Sequence, residues 1–184
     1  MKRCIAKFIL FVSGWKADYP DQFKVPKSVM LAAPHTSNWD IVYALAVYWL
    51  EGIDAKFLIK DAYTNGFFGF FFRWLGAIGV DRSKNNNLVD YSIQLFNSFE
   101  KLILMVPAEG TRRRVEKWKT GFYHIANSAK VPVSFGYLDY QKKIAGVGNV
   151  YELSGDFKED MQIIEDFYAH IEPNHPELYN KKIF

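Results

Sequence analysis

A single cysteine, Cys4, stands in 184 residues. One thiol excludes an intramolecular disulfide and a cysteine-built zinc cluster, and it points to a reducing compartment. Long apolar runs are also missing: the best candidates, 41–50 and 62–72, fall well short of the ~20 residues a membrane span needs. The N-terminal apolar stretch follows Lys2 and Arg3, but Lys7 interrupts it and no small-residue cleavage site precedes Trp15, so it reads as retained rather than as a signal peptide. Charge of one sign is scarce. A net charge of +3 does not argue for nucleic acid, and none is expected as a partner. Internal repeats, Pro/Gly-rich linkers, a P-loop, G-x-G-x-x-G and G-x-S-x-G are lacking. The four histidines, His35, His124, His170 and His175, are scattered, and no metal is expected.

What is present is apolar and aromatic. The chain is 49% hydrophobic and 23% charged, with 16 Phe, 11 Tyr and 5 Trp, which suits one domain with a substantial core. Short apolar runs alternate with helical spacing. Strands are predicted at 28–33, 55–59, 75–80, 102–106, 131–137 and 144–153, and helices at 40–50, 88–99, 121–130 and 157–171. That alternation predicts an α/β fold with a mixed, largely parallel sheet flanked by helices. Ahead of it, Ile5, Phe8, Ile9, Val12 and Trp15 recur at helical spacing beside Lys2, Arg3, Lys7 and Lys16. Residues 1–16 therefore read as an amphipathic helix and 17–184 as the main domain. The pattern leaves two roles open, a helix docked on the core or an interfacial membrane anchor.

Three segments at predicted strand ends carry chemistry. In Pro34-His35-Thr36-Ser37-Asn38-Trp39-Asp40, a loop-borne His35 could fold back onto an aspartate in the first turn of the next helix. A carboxylate on one imidazole nitrogen fixes the tautomer and makes the other nitrogen a general base. Capping and solvation explain the same residues. In Pro107-Ala108-Glu109-Gly110-Thr111-Arg112, Gly110 permits close backbone approach, and Glu109 with Arg112 supplies opposite charges. In Gly76–Arg82, an apolar strand delivers Arg82 to a sheet end, where an ion pair with Asp81 is the plain alternative.

These three segments, with Val131-Pro132-Val133, resemble in order and spacing the lysophospholipid acyltransferase family, the glycerol-3-phosphate and 1-acylglycerol-3-phosphate acyltransferases. His35 to Asp40 is similar to its H-x-x-x-x-D motif, and Glu109 to Arg112 matches its E-G-T-R block residue for residue. Ala108 and Arg113 replace the proline and serine usual beside that block. The resemblance implies an enzyme that moves a fatty acyl group from a thioester to a hydroxyl of a lysophospholipid or related glycerolipid, with His35 as general base and Asp40 orienting it. Lys60, Arg82, Glu109, Gly110, Thr111 and Arg112 are then expected to bind substrate, with Glu109 fixing Arg112 or an acceptor hydroxyl. Phe67, Phe68, Phe71 and Trp74 are expected to line an acyl channel. No cofactor is implied beyond an acyl-CoA or acyl carrier protein thioester as co-substrate. The expected setting is cytoplasmic, peripheral on the inner membrane face. Two alternatives stay open: a non-catalytic lipid-binding module of the same fold, and an acyltransferase with a non-glycerolipid acceptor.

Overall fold

Successive side chains on the central strands point to opposite faces, and each face buries a separate core. The structure, a computed structural model, describes residues 1–19, 25–81 and 87–184. Strands β1 (Lys16–Asp18), β2 (Lys27–Ala32), β3 (Ala55–Lys60), β4 (Ala77–Val80), β5 (Leu102–Val106), β6 (Val133–Asp139) and β7 (Ile144–Tyr151) form one sheet among the described residues, in the order β1-β7-β6-β2-β5-β3-β4. Strands β6, β2, β5, β3 and β4 run parallel, and β7 pairs antiparallel with β6. The C-terminal ends of the parallel strands therefore open on one edge.

Helices cover both faces. On one side lie α1 (Lys2–Ser13) and α2 (Trp39–Glu51), whose Ala6, Leu10, Ala44 and Val47 pack with Met30, Ile103 and Met105 of the sheet. Two short helices, α3 (Asp61–Asn65) and α4 (Gly69–Leu75), lead from β3 to β4. On the other side α5 (Leu88–Ser98), α6 (Gly121–Ala129) and α7 (Phe157–Tyr168) supply Phe96, Phe122 and Ile164 against Val29, Leu31, Leu104 and Phe135. Full burial of such side chains contributes about 1.5–3 kcal/mol each. The side chains of Asn87 and Asp156 cap α5 and α7 by accepting from two backbone N–H groups apiece.

Local differences from the sequence reading have local causes. β6 begins at Val133, two residues late, because Pro132 has no N–H; its carbonyl still accepts from Val29 N–H at 3.0 Å. The edge strand β1 is too short for a period to be read. In α1 the buried positions are Ala6 and Leu10, while Phe8, Phe11 and Val12 are exposed. Apolar residues surround this helix, so the small Ala6 decides which face approaches α2. Trp15 leaves the helix at Gly14, which has φ +72°, and is buried. Among the described residues no helix is long and apolar enough to cross a membrane.

Candidate active site

The loop after β2 and the first turn of α2 bring His35 and Asp40 together. Asp40 is 3% exposed, and its Oδ2 lies 3.0 Å from His35 Nδ1 while accepting from the backbone N–H groups of Thr36 and Ser37, both at 2.9 Å. Tyr140 O–H donates to the other oxygen, Oδ1, at 2.6 Å. With every partner a donor, the carboxylate holds the ring as the Nδ1–H tautomer, which leaves the Nε2 lone pair for chemistry. The His35 side chain keeps 25% exposure, so it is held yet reachable.

The loop after β5 closes on the same place. Both carboxylate oxygens of Glu109 accept from the backbone N–H of His35, at 3.1 and 3.0 Å. Glu109 is buried, and burial pushes its carboxyl up to about 7 even though the His35 N–H and charge oppose the shift. The expected pairing of Glu109 with Arg112 is therefore corrected. Glu109 turns inward to hold the histidine loop, and exposed Arg112 donates instead to the Asn38 side chain. Gly110 takes φ +68°, and its N–H closes a turn on the Pro107 carbonyl at 3.0 Å. A Cβ there would lie 2.9 Å from Lys119 carbons, so glycine suits both the turn and the neighbouring lysine. Thr111 is half-buried beside it.

Beneath His35 a cavity of about 530 Å³ opens between α2 and the strand ends. Its wall includes Ala44, Tyr48, Phe57, Leu58, Met105 and Val106, and His35, Asp40, Gly110 and Lys119 also border it. Residues of α5 and α6, among them Val89, Ser92, Phe122 and Ile125, close its other side. Phe67, Phe68, Phe71 and Trp74 do not border this cavity; they cluster around α4, with Phe67, Phe68 and Phe71 exposed. The helix-like density of phenylalanine was legible, but the side they face depends on how α4 lies on the sheet. Lys60 is exposed at the end of β3, on the same sheet edge as His35 but outside the cavity lining. Arg82 lies outside the described residues.

Three contributors were missed. Tyr140 arrives from the turn after β6, with no spacing to announce it. Lys119 reaches the site through the Gly110 turn, its backbone N–H donating to the Ala108 carbonyl at 2.9 Å. The C-terminal segment also meets the site, since His175 N–H donates to Thr36 Oγ1 at 3.2 Å.

The histidine–aspartate pair stands over an apolar cavity at the carboxyl edge of a parallel sheet, where α/β folds place their ligand sites. The family model described as Acyltransferase matches residues 18–134, and the chain belongs to that family. It is 29% identical over 168 residues to the 1-acyl-sn-glycerol-3-phosphate acyltransferase of Streptococcus pneumoniae (strain ATCC BAA-255 / R6), covering 83% of this chain and 62% of that relative. The chain thus spans less than two thirds of that relative's length. Its fold is similar to the crystal structure of the 1-acyl-sn-glycerophosphate (LPA) acyltransferase, PlsC, from Thermotoga maritima, with a TM-score of 0.61 and 15% identity, over 90% of this chain and 75% of that one.

Proposed function

We propose that this chain transfers a fatty acyl group from an acyl-CoA or acyl carrier protein thioester to the hydroxyl of a lysophospholipid, of which a 1-acylglycerol 3-phosphate is the first choice. The observation that carries this reading is the 3.0 Å contact of His35 Nδ1 with buried Asp40, at the mouth of an apolar cavity of about 530 Å³. Such a cavity suits an alkyl chain, and a tautomer-locked imidazole beside it suits a hydroxyl.

The step balances without a side-chain nucleophile. His35 Nε2 takes the acceptor's hydroxyl proton as that oxygen bonds to the acyl carbon. The C–S bond then breaks, and the departing thiolate takes the proton back from the imidazolium. Asp40 holds Nδ1–H throughout, help of a kind worth about 10²–10⁴ in rate. Arg112, Lys119, Lys60 and Arg82 supply cations for an acceptor phosphate, guanidinium in bidentate fashion.

Acceptors and products of this kind reside in a lipid interface, and the surface suits docking there. Phe8, Phe11 and Val12 of α1 and Phe67, Phe68, Phe70 and Phe71 near α4 are exposed. The start of α1 reaches α4, where Lys2 Nζ sits 5.3 Å from the rings of both Trp49 and Trp74. Docking on the cytoplasmic face of a membrane would put the site where thioester donors are found.

The test is mass-spectrometric detection of the two-tailed product from a lysophospholipid offered with each thioester in turn. Wild-type protein should form product, and folded His35→Ala should lose at least about a hundredfold in kcat. Equal turnover by His35→Ala would sink the general-base assignment.

A further inference from the structure

We infer that Tyr140, clamped by Trp15 and Tyr43, is a positioning residue for the His35–Asp40 pair and ties the end of the N-terminal helix to the chemistry. The inference deepens the acyl-transfer reading and rests on it for its kinetic arm. Asp40 Oδ2 is already shared by His35 Nδ1 and two backbone N–H groups. Its Oδ1 depends on Tyr140, whose 2.6 Å O–H···O contact has the length of a charge-assisted hydrogen bond. Without that donor a buried carboxylate oxygen would be left unsatisfied and the carboxylate could turn away from the ring.

Tyr140 is itself held on three sides. Its ring meets Trp15 edge-on with centroids 4.8 Å apart, and Tyr43 at 6.1 Å. Trp15 stacks on Tyr43 at 4.4 Å, and the Tyr140 backbone N–H donates to the Glu172 carbonyl at 2.8 Å. The clamp draws on Trp15, two residues past α1, on α2, on the β6–β7 turn and on the C-terminal segment. Burial and the Asp40 charge both raise the Tyr140 phenol far above its usual range, so it remains a donor across the working pH range.

Removing the hydroxyl concentrates negative charge on Asp40, which favours imidazolium. The other groups facing the pair are Glu109 from the loop after β5, Lys119 at the cavity mouth, Arg112 through Asn38, and the C-terminal segment, which reaches Thr36 through the His175 backbone while the His175 ring pairs with Glu177. All are unchanged by Tyr140→Phe, which also keeps the aromatic clamp.

The experiment uses the full chain in two arms. In Tyr140→Phe the acid limb of the kcat/KM profile should move up by about half a pH unit, with kcat down about three- to tenfold and KM unchanged. Trp15→Ala should shift the limb in the same direction, and Trp15→Phe should restore it. The second arm needs no substrate: the downfield Nδ1–H proton of His35, followed by NMR, should move in Tyr140→Phe. An unmoved proton resonance together with an unmoved acid limb overturns the inference, even if stability falls. A moved resonance in a protein that transfers no acyl group upholds the positioning and sinks only the acyl-transfer reading.

Discussion

Glu109 stands with both oxygens on the His35 peptide N–H, out of water. Its carboxyl ionises near pH 7 in the fold, against 4.5 in an open chain, because burial disfavours the charge. The sign of the linkage follows. A raised carboxyl binds its proton more tightly when folded, so its contribution to stability is complete below 4.5 and is lost as pH rises through about 7. Glu109→Gln keeps an acceptor for the His35 N–H and cannot ionise. Relative to that variant, the wild type should lose stability between about pH 5 and about pH 8, by a few kcal/mol at most. Urea midpoints at both pH values check this, and parallel curves would mean that Glu109 is charged throughout.

At the scale of elements, α1 has one docked face and one exposed apolar face. Ala6 and Leu10 dock it on α2, while Phe8 and Phe11 face outward. The docked role thus falls on one face, and the membrane docking proposed above would use the other. Removing residues 1–16 would delete core contacts and Trp15 along with the outer face, so point changes make the cleaner test. Phe8→Ser with Phe11→Ser should leave the melting temperature within a few degrees, since exposed substitutions usually cost within about 0.5 kcal/mol. The same pair should weaken sedimentation with anionic vesicles severalfold by removing apolar area from the interface. Unchanged sedimentation would place the docking surface elsewhere, with Phe67–Phe71 the next segment to vary.

For the whole molecule, the dimension that matters is the cavity that α2, α5 and α6 enclose at the strand ends. Ala44 borders it from α2 and is nearly buried. Ala44→Leu fills part of the space an acyl chain would occupy, and each methylene denied burial costs about 0.8 kcal/mol. The ratio of kcat/KM for long over short acyl donors should fall about tenfold or more, with short-chain turnover retained. Equal losses for every chain length would show that the acyl group binds elsewhere.

The longer strands and helices were legible because they rest on local periodicity, whereas β1, α3 and α4 were not read and the strand expected from residue 75 begins only at Ala77, after the last turn of α4. β5 was read at its observed bounds, and α2, α5 and α6 differ by a residue or two. His35 and Asp40 were legible for a similar reason: five residues of one loop and one helical turn determine whether they meet. Nothing local says which way Glu109 turns, and its separation of 74 residues from His35 is closed only by the pairing of β2 with β5. Tyr140 lies 100 residues from Asp40 and comes within 2.6 Å of it because β6 lies beside β2 in the sheet. The cavity, too, is walled by β2, β3, β5, β6, α2, α5 and α6 together and is not a property of any one segment. The sequence by itself determined the alternating elements, the parallel strand ends and the histidine–aspartate pair, since those depend on spacing along one stretch of chain. The tertiary structure alone decided which carboxylate faces which donor, which aromatics face the cavity and which face outward. Those outcomes depend on contacts between segments far apart in the chain, and only the packed sheet and its two helical layers bring them together.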